Sequence, residues 1–241
     1  MLNIVSAELM KMKKSKIFII GTIIVLAMPV FLIIKDFAEP PAEYMNWLYS
    51  CFTLNGIVLP IISGFIITIL IQREYQDQTI INVLTSPVSR MSFIISKFIA
   101  WFLWYAITLL SVVGISILGY YLIYTKTFNI DGIKIFIEYL LKSGLLGFIA
   151  SLPLFWVAIK QRESFYPSIL LALAFAAIQT AGLNISIEML PLASVVPWSA
   201  VTIFSIFDVP SQYKVTCIIS ILSSGILGFL LSCYTFSKQD Q

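Results

Sequence analysis

Apolar runs of membrane-crossing length alternate with short polar segments along this chain. Six runs, residues 17–34, 47–71, 98–124, 143–159, 165–183 and 215–236, carry almost all of the hydrophobic sequence. At about 1.5 Å per helical residue each is close to, or beyond, the roughly 30 Å of hydrocarbon a span must cross. The pattern predicts an all-α polytopic membrane protein of six transmembrane helices, one transmembrane domain over residues 1–241. Pro29 and Pro60 fall inside runs and should only kink their helices, because neighbouring helices satisfy the freed backbone. Ahead of the first run, residues 1–16 place Leu2, Val5, Leu9 and Met12 on one helical stripe and Asn3, Ser6, Glu8, Lys11 and Lys14 on the other. That stripe predicts an N-terminal interfacial helix lying beside anionic lipid. The first run lacks a small-residue cleavage site and reads as a retained span, not a removed signal.

Residues 73–90 (REYQDQTIINVLTSPVSR) form the longest polar interruption with a membrane-length run on either side. Within it Ile80, Ile81, Val83 and Leu84 share one side of a short helix, which Asp77 or Thr79 can cap. Pro87 disfavours α geometry at Ser86 and ends that helix, and Ser89 or Ser92 can cap the next. A short amphipathic helix pinned between two spans suits docking on another protein. As a bare pattern it equally describes a connector skimming the headgroups.

Counting lysine and arginine near the span ends orients the chain. With the N-terminus in the cytoplasm, ten basic residues (Lys11, Lys13, Lys14, Lys16, Arg73, Arg90, Lys97, Lys160, Arg162 and Lys238) lie inside, and five (Lys35, Lys126, Lys134, Lys142 and Lys214) lie outside. Both termini and the 73–90 loop are therefore expected in the cytoplasm. On the third run Trp101, Trp104 and Tyr105 would form an inner aromatic belt and Tyr120, Tyr121 and Tyr124 an outer one. Residues 184–214 are too apolar for an ordinary loop, yet Pro191, Pro197 and Pro210 break them and Glu188 and Asp208 interrupt them. They read as an outer re-entrant segment before the last span. The alternative, a seventh span over 190–207, would put the C-terminus outside. Small residues recur every four positions at Ser220, Ser224, Gly228 and Ser232, at Ser143, Gly147 and Ser151, and at Ala172, Ala176 and Thr180, marking faces where helices approach closely.

Composition narrows the function more than the fold. The chain is 59% hydrophobic and only 11% charged, with a mean hydropathy of +0.97 and a net charge of +3. Its basic residues cluster at segment ends, so nucleic acid is not an expected partner. The three cysteines, Cys51, Cys217 and Cys233, all sit in apolar runs and read as core residues, with no metal site expected. There is no histidine, no G-x-x-x-x-G-K-[ST] phosphate loop, and no aspartate inside a run. Histidine-dependent hydrolases, an intramembrane aspartyl dyad and an intrinsic nucleotide site are excluded on these grounds, so catalytic residues are not expected. No run carries a charge in its interior, which argues against an ion-coupled carrier. What remains is an apolar pathway or scaffold that takes its energy from another chain.

The layout resembles the permease subunits of ABC type-2 exporters, and most nearly the short bacterial permeases of bacitracin resistance and lantibiotic immunity. An N-terminal interfacial helix containing Glu8, Lys11 and Lys14, six spans, a first cytoplasmic loop reading E-x4-T-x4-L, and a broken apolar segment before the last span carry the likeness. Glu74, Thr79, Leu84, Pro87 and Arg90 are its specific residues; Gln78 stands where that loop often has glycine. The resemblance implies that residues 77–86 are a coupling helix seated on a cytosolic ABC ATPase, with Glu74 contacting the ATPase or the chain's own basic residues. It further implies a homodimer or heterodimer of permeases, two ATPase subunits that hold ATP and Mg, and no cofactor on this chain itself. Export of an amphipathic or hydrophobic substrate, such as an antimicrobial peptide, across a bacterial cell membrane is the implied activity. A non-transport scaffold or immunity protein docking a cytosolic partner is the competing expectation.

Overall fold

The computed structural model describes residues 2–39, 43–76, 89–125, 130–161 and 164–238, and among these every regular element is helical. Helix α1 (Leu2–Lys14) turns at Ser15 into α2 (Lys16–Ala38), and α3 (Tyr44–Gln76) and α4 (Arg90–Ile123) follow. Next come α5 (Ile130–Ala150), α6 (Pro153–Lys160), α7 (Tyr166–Ala181), α8 (Leu190–Val195), α9 (Pro197–Ile206) and α10 (Ser211–Ser237). Six stretches are long and apolar enough to cross a membrane: α2, α3, α4, α5 continued by α6, α7 with its following turn, and α10. They coincide with the six apolar runs. The fourth starts earlier than its apolar run, at Ile130, and breaks at Ser151 and Leu152 before Pro153, which occupies the first turn of α6. Proline there loses nothing, since its missing N–H would have been unpaired anyway.

Helix α3 is the axis of the bundle, packing on α2, α4, α5, α6 and α7. Close approach makes that packing feasible: a Cβ built on Gly64 would lie 2.4 Å from Cβ of Ala172, so α3 and α7 meet almost backbone to backbone. Helix α2, by contrast, buries a single stripe (Phe18, Gly21, Val25, Pro29, Leu32 and Asp36) and exposes Ile20, Ile23, Phe31 and Ile34. Such a face is stable only where its surroundings are as apolar as itself. Pro29 and Pro60 lie within continuous helices.

The aromatic residues of α4 depart from the expected belts. Trp101 and Tyr105 are buried, with Trp101 Nε1 donating to Ser63 Oγ at 3.0 Å and Tyr105 OH to the Gly144 carbonyl at 2.8 Å. Trp104 is also buried and donates to Thr22 Oγ1 at 2.9 Å. Toward the other end Tyr120 and Tyr124 are buried as well, and Tyr121 faces out. These rings follow α4 into the core because they fall on its inward stripe, where Phe98, Trp101, Phe148 and Phe155 pack together. Position along a span predicted their depth; helical phase decides which way they face.

Between the fifth and sixth spans the chain makes two 3₁₀ turns, Gly182–Asn184 and Ile187–Met189, then α8 and α9. Pro191 and Pro197 stand in the first turns of these helices and Pro210 caps α10, so each proline starts an element instead of bending one. Helix α9 has 10 residues, about 15 Å, half the thickness of the hydrocarbon layer. It packs among α5, α7 and α10, with Ala200, Val201 and Ile203 fully buried. Trp198 stacks on Phe175 at 3.7 Å and donates to the Ala150 carbonyl, and Thr202 Oγ1 donates to the Gln179 carbonyl at 2.6 Å.

Candidate coupling site

Where α1 crosses the ends of α3 and α4, four charges from three elements meet. Lys97, on α4, is 1% exposed, and its ammonium donates to Glu8 Oε2 and to Glu74 Oε1, each at 2.6 Å. Glu8 on α1 and Glu74 on α3 are themselves 3% and 5% exposed. Lys11, half-exposed at the rim, donates to Glu74 Oε1 at 2.9 Å and to Glu8 Oε1 at 3.2 Å. Among the described residues, two carboxylates and two ammonium groups balance in charge. That neutrality, together with charge-assisted bonds to each carboxylate, is what makes the burial tolerable. The Phe93 ring, 5.1 Å from Lys97 Nζ, adds a cation–π contact from the same helix. Burial would by itself lower the pKa of Lys11, but its bonds to Glu74 and Glu8 outweigh that and hold it above its ordinary value.

This arrangement corrects one expectation. Glu8 was placed on the outward polar face of an interfacial helix, yet it points into the protein, while Leu9 from the supposed apolar stripe is exposed. Met12 is buried beside Glu8, so the inward stripe of α1 runs through Val5, Glu8 and Met12. Lys11 divides its contacts between rim and interior, and Lys14 is exposed.

The quartet sits at the root of the 73–90 loop. Glu74 stands at the loop's start, in the last turn of α3, and at its far end Ser89 caps α4 by accepting from the Ser92 amide at 3.1 Å; of the two serines able to cap, Ser89 does so. Arg90 donates to the Ser237 carbonyl at the end of α10 at 3.1 Å, and Phe93 stacks on Phe236. Both stems of the loop are thus anchored, one to α1 and α4 and the other to the last span. Asp77, Thr79, Ile80, Ile81, Val83, Leu84 and Pro87 lie outside the described residues. Chemically the site offers a mechanical joint: displacing α1, α3 or α4 alone would strand a buried charge.

The row Ser220, Ser224, Gly228 and Ser232 lies along α10. Ser220, Gly228 and Ser232 are buried, and a Cβ on Gly228 would come within 2.5 Å of the Pro153 nitrogen, so α10 rests on the break between α5 and α6. Deeper in the bundle, Asn55, Tyr105, Ser143 and Gln179 surround a cavity of about 20 Å³, the room of a single water. Charge alone does not reveal Asn55 and Gln179 in the apolar runs; buried amides in packed spans are the neutral form of the same signal.

The family description "ABC-2 family transporter protein" matches residues 4–179, from α1 into α7, and so takes in all four members of the quartet and the 73–90 loop. The bacitracin transport permease protein BCRB of Bacillus licheniformis is similar at 26% identity over 189 residues, covering 73% of this chain and 83% of that protein.

Proposed function

The chain belongs to the ABC-2 family of transporter proteins and is the membrane permease of an ABC transporter, and from that premise we propose that it works as an ATP-driven exporter of amphipathic compounds, coupled to its motor through the 73–90 loop. The buried quartet of Glu8, Lys11, Glu74 and Lys97 carries the reading. It makes one rigid unit of the N-terminal helix and both stems of the loop, so a push on the loop tilts α3 and α4 together with α1 instead of bending a slack linker. The energy comes from a separate cytosolic ABC ATPase, two copies holding ATP and Mg, on which residues 77–86 dock as a coupling helix. Two permeases complete the transporter, meeting through the exposed apolar face of α2 and the start of α7, where Tyr166 and Leu170 are uncovered. Both termini lie in the cytoplasm, and residues 184–214 form a re-entrant element on the outer side.

The substrate follows from the pathway and the relative. With no charge inside the six apolar runs, the route suits a molecule that partitions into the bilayer first, and a membrane-active antimicrobial peptide of the bacitracin kind fits it. The test is ATP hydrolysis by the chain purified alone and with the ABC ATPase co-expressed beside it. Hydrolysis only in the complex, stimulated by such a peptide, is expected. Hydrolysis by the chain alone contradicts the assignment, and an ATPase that never co-purifies turns the chain into a scaffold.

A further inference from the structure

A groove of about 710 Å³ opens between the α1–α2 turn and α3. Lys14, Ser15, Lys16 and Ile17 form one wall, Phe65, Ile69, Arg73 and Gln76 the other, and Phe165 closes the end. The four α3 residues recur at intervals of four, four and three, so they form a stripe about 16 Å long. The stripe is graded: Gln76 and Arg73 stand at the polar end beside Lys14 and Lys16, and Ile69 and Phe65 continue into the membrane-spanning part. Among the described residues lining the groove no carboxylate occurs, and Lys14 and Lys16 are exposed. Lys11, engaged by Glu8 and Glu74, is not among the residues that line this groove.

We infer that the groove holds one anionic phospholipid of the leaflet beside α1, its phosphate at Lys14 and Lys16 and one acyl chain along Ile69 and Phe65. Two exposed lysines above an apolar wall complement a headgroup bearing a net negative charge. A zwitterionic headgroup brings its own cation to the same place and loses most of the attraction. A bound lipid here would wedge the α1–α2 turn against α3 and hold α1 at the depth the quartet requires. The inference goes beyond the exporter reading, and its lipid titration is carried out on the chain without an ATPase.

The experiment is native mass spectrometry of the purified full chain, titrated with dioleoyl phosphatidylglycerol and, separately, dioleoyl phosphatidylcholine. One tightly held phosphatidylglycerol per chain is expected, at roughly tenfold lower concentration than phosphatidylcholine. The pair Lys14→Ala with Lys16→Ala should abolish that preference, while Lys14→Arg with Lys16→Arg should keep it. Lys13→Ala should keep it too, because Lys13 lines a different groove, beside Leu103 and Trp104. Equal retention of both lipids by the unaltered chain overturns the inference, as does an unchanged preference in the alanine pair or its loss in Lys13→Ala. If the alanine pair keeps the lipid preference and instead releases the ATPase from the complex, the groove is a protein-docking surface and the lipid reading fails.

Discussion

Replacing Lys97 by methionine is the sharpest perturbation of the joint. The side chain is fully buried, and its ammonium donates to both Glu8 Oε2 and Glu74 Oε1. Methionine fills much of the same volume but leaves Glu8 and Glu74 sharing the half-exposed Lys11 without the buried ammonium. Removing one partner of a buried ion pair costs about 3–5 kcal/mol, because the surviving charge is stranded. For a domain of about 150–250 residues each kcal/mol moves the unfolding midpoint by roughly 2–4 °C, so a drop of about 6–20 °C is expected. Lys11→Met removes a rim charge, worth about 0–1 kcal/mol, and should shift the midpoint by no more than a few degrees. Combining Lys97→Met with Glu8→Leu and Glu74→Leu should recover most of the loss, since an apolar set of similar volume replaces a buried ionic one at little cost. Thermal unfolding in mild detergent, at one fixed scan rate and followed by tryptophan fluorescence, measures all three. A Lys97→Met shift no larger than that of Lys11→Met would refute the buried-joint reasoning, and so would a triple variant as unstable as the single one.

Other consequences are equally direct. Gly228→Leu drives a side chain into the Leu152–Pro153 backbone, which cannot yield as a flexible side chain would; a loss of about 1–3 kcal/mol or more should appear in the same unfolding assay, whereas Ser224→Ala on the same row should change little. Cysteines placed at Ser211 and Ser237, the two ends of α10, should react with an impermeant maleimide from opposite sides of the membrane; labelling of both from one side contradicts the topology. Because the pKa of Lys11 is raised in the folded chain, its stabilising contribution is complete below the unfolded value near 10.4 and is lost only as pH rises through the higher folded value. The unfolding midpoint should therefore show no loss from this group between about pH 7 and 9.

The spans were legible because each apolar run is long and bounded by charge, and run length is a local property of sequence. The joint was not, for two reasons. Lys97 lies one residue before the third apolar run and was counted for topology, although it shares a helical stripe with Phe93, Trp101 and Trp104, all buried. Glu74 likewise follows Ile67, Leu70 and Ile71 on the buried side of α3, and Glu8 sits between Val5 and Met12. Phase along the helix thus marks all three as inward-facing. Their pairing, however, spans 23 residues between Glu74 and Lys97 and 89 between Glu8 and Lys97, and only the packed bundle brings them together. The short helices after the fifth span illustrate the converse: three prolines announced the breaks, while the depth of α9 among α5, α7 and α10 rests on contacts no local pattern encodes.

The central claim, that the 73–90 loop joins this permease to a separate motor, is tested most directly by recovering the ABC ATPase on the tagged chain carrying Leu84→Asp. Leu84 falls on the apolar face that the sequence predicts for residues 77–86, and burying such a side chain contributes about 1.5–3 kcal/mol. Since about 1.4 kcal/mol is a decade in affinity, ATPase recovery should fall at least tenfold at unchanged membrane abundance of the permease. Recovery equal to that of the unaltered chain would contradict the account and leave the loop a connector.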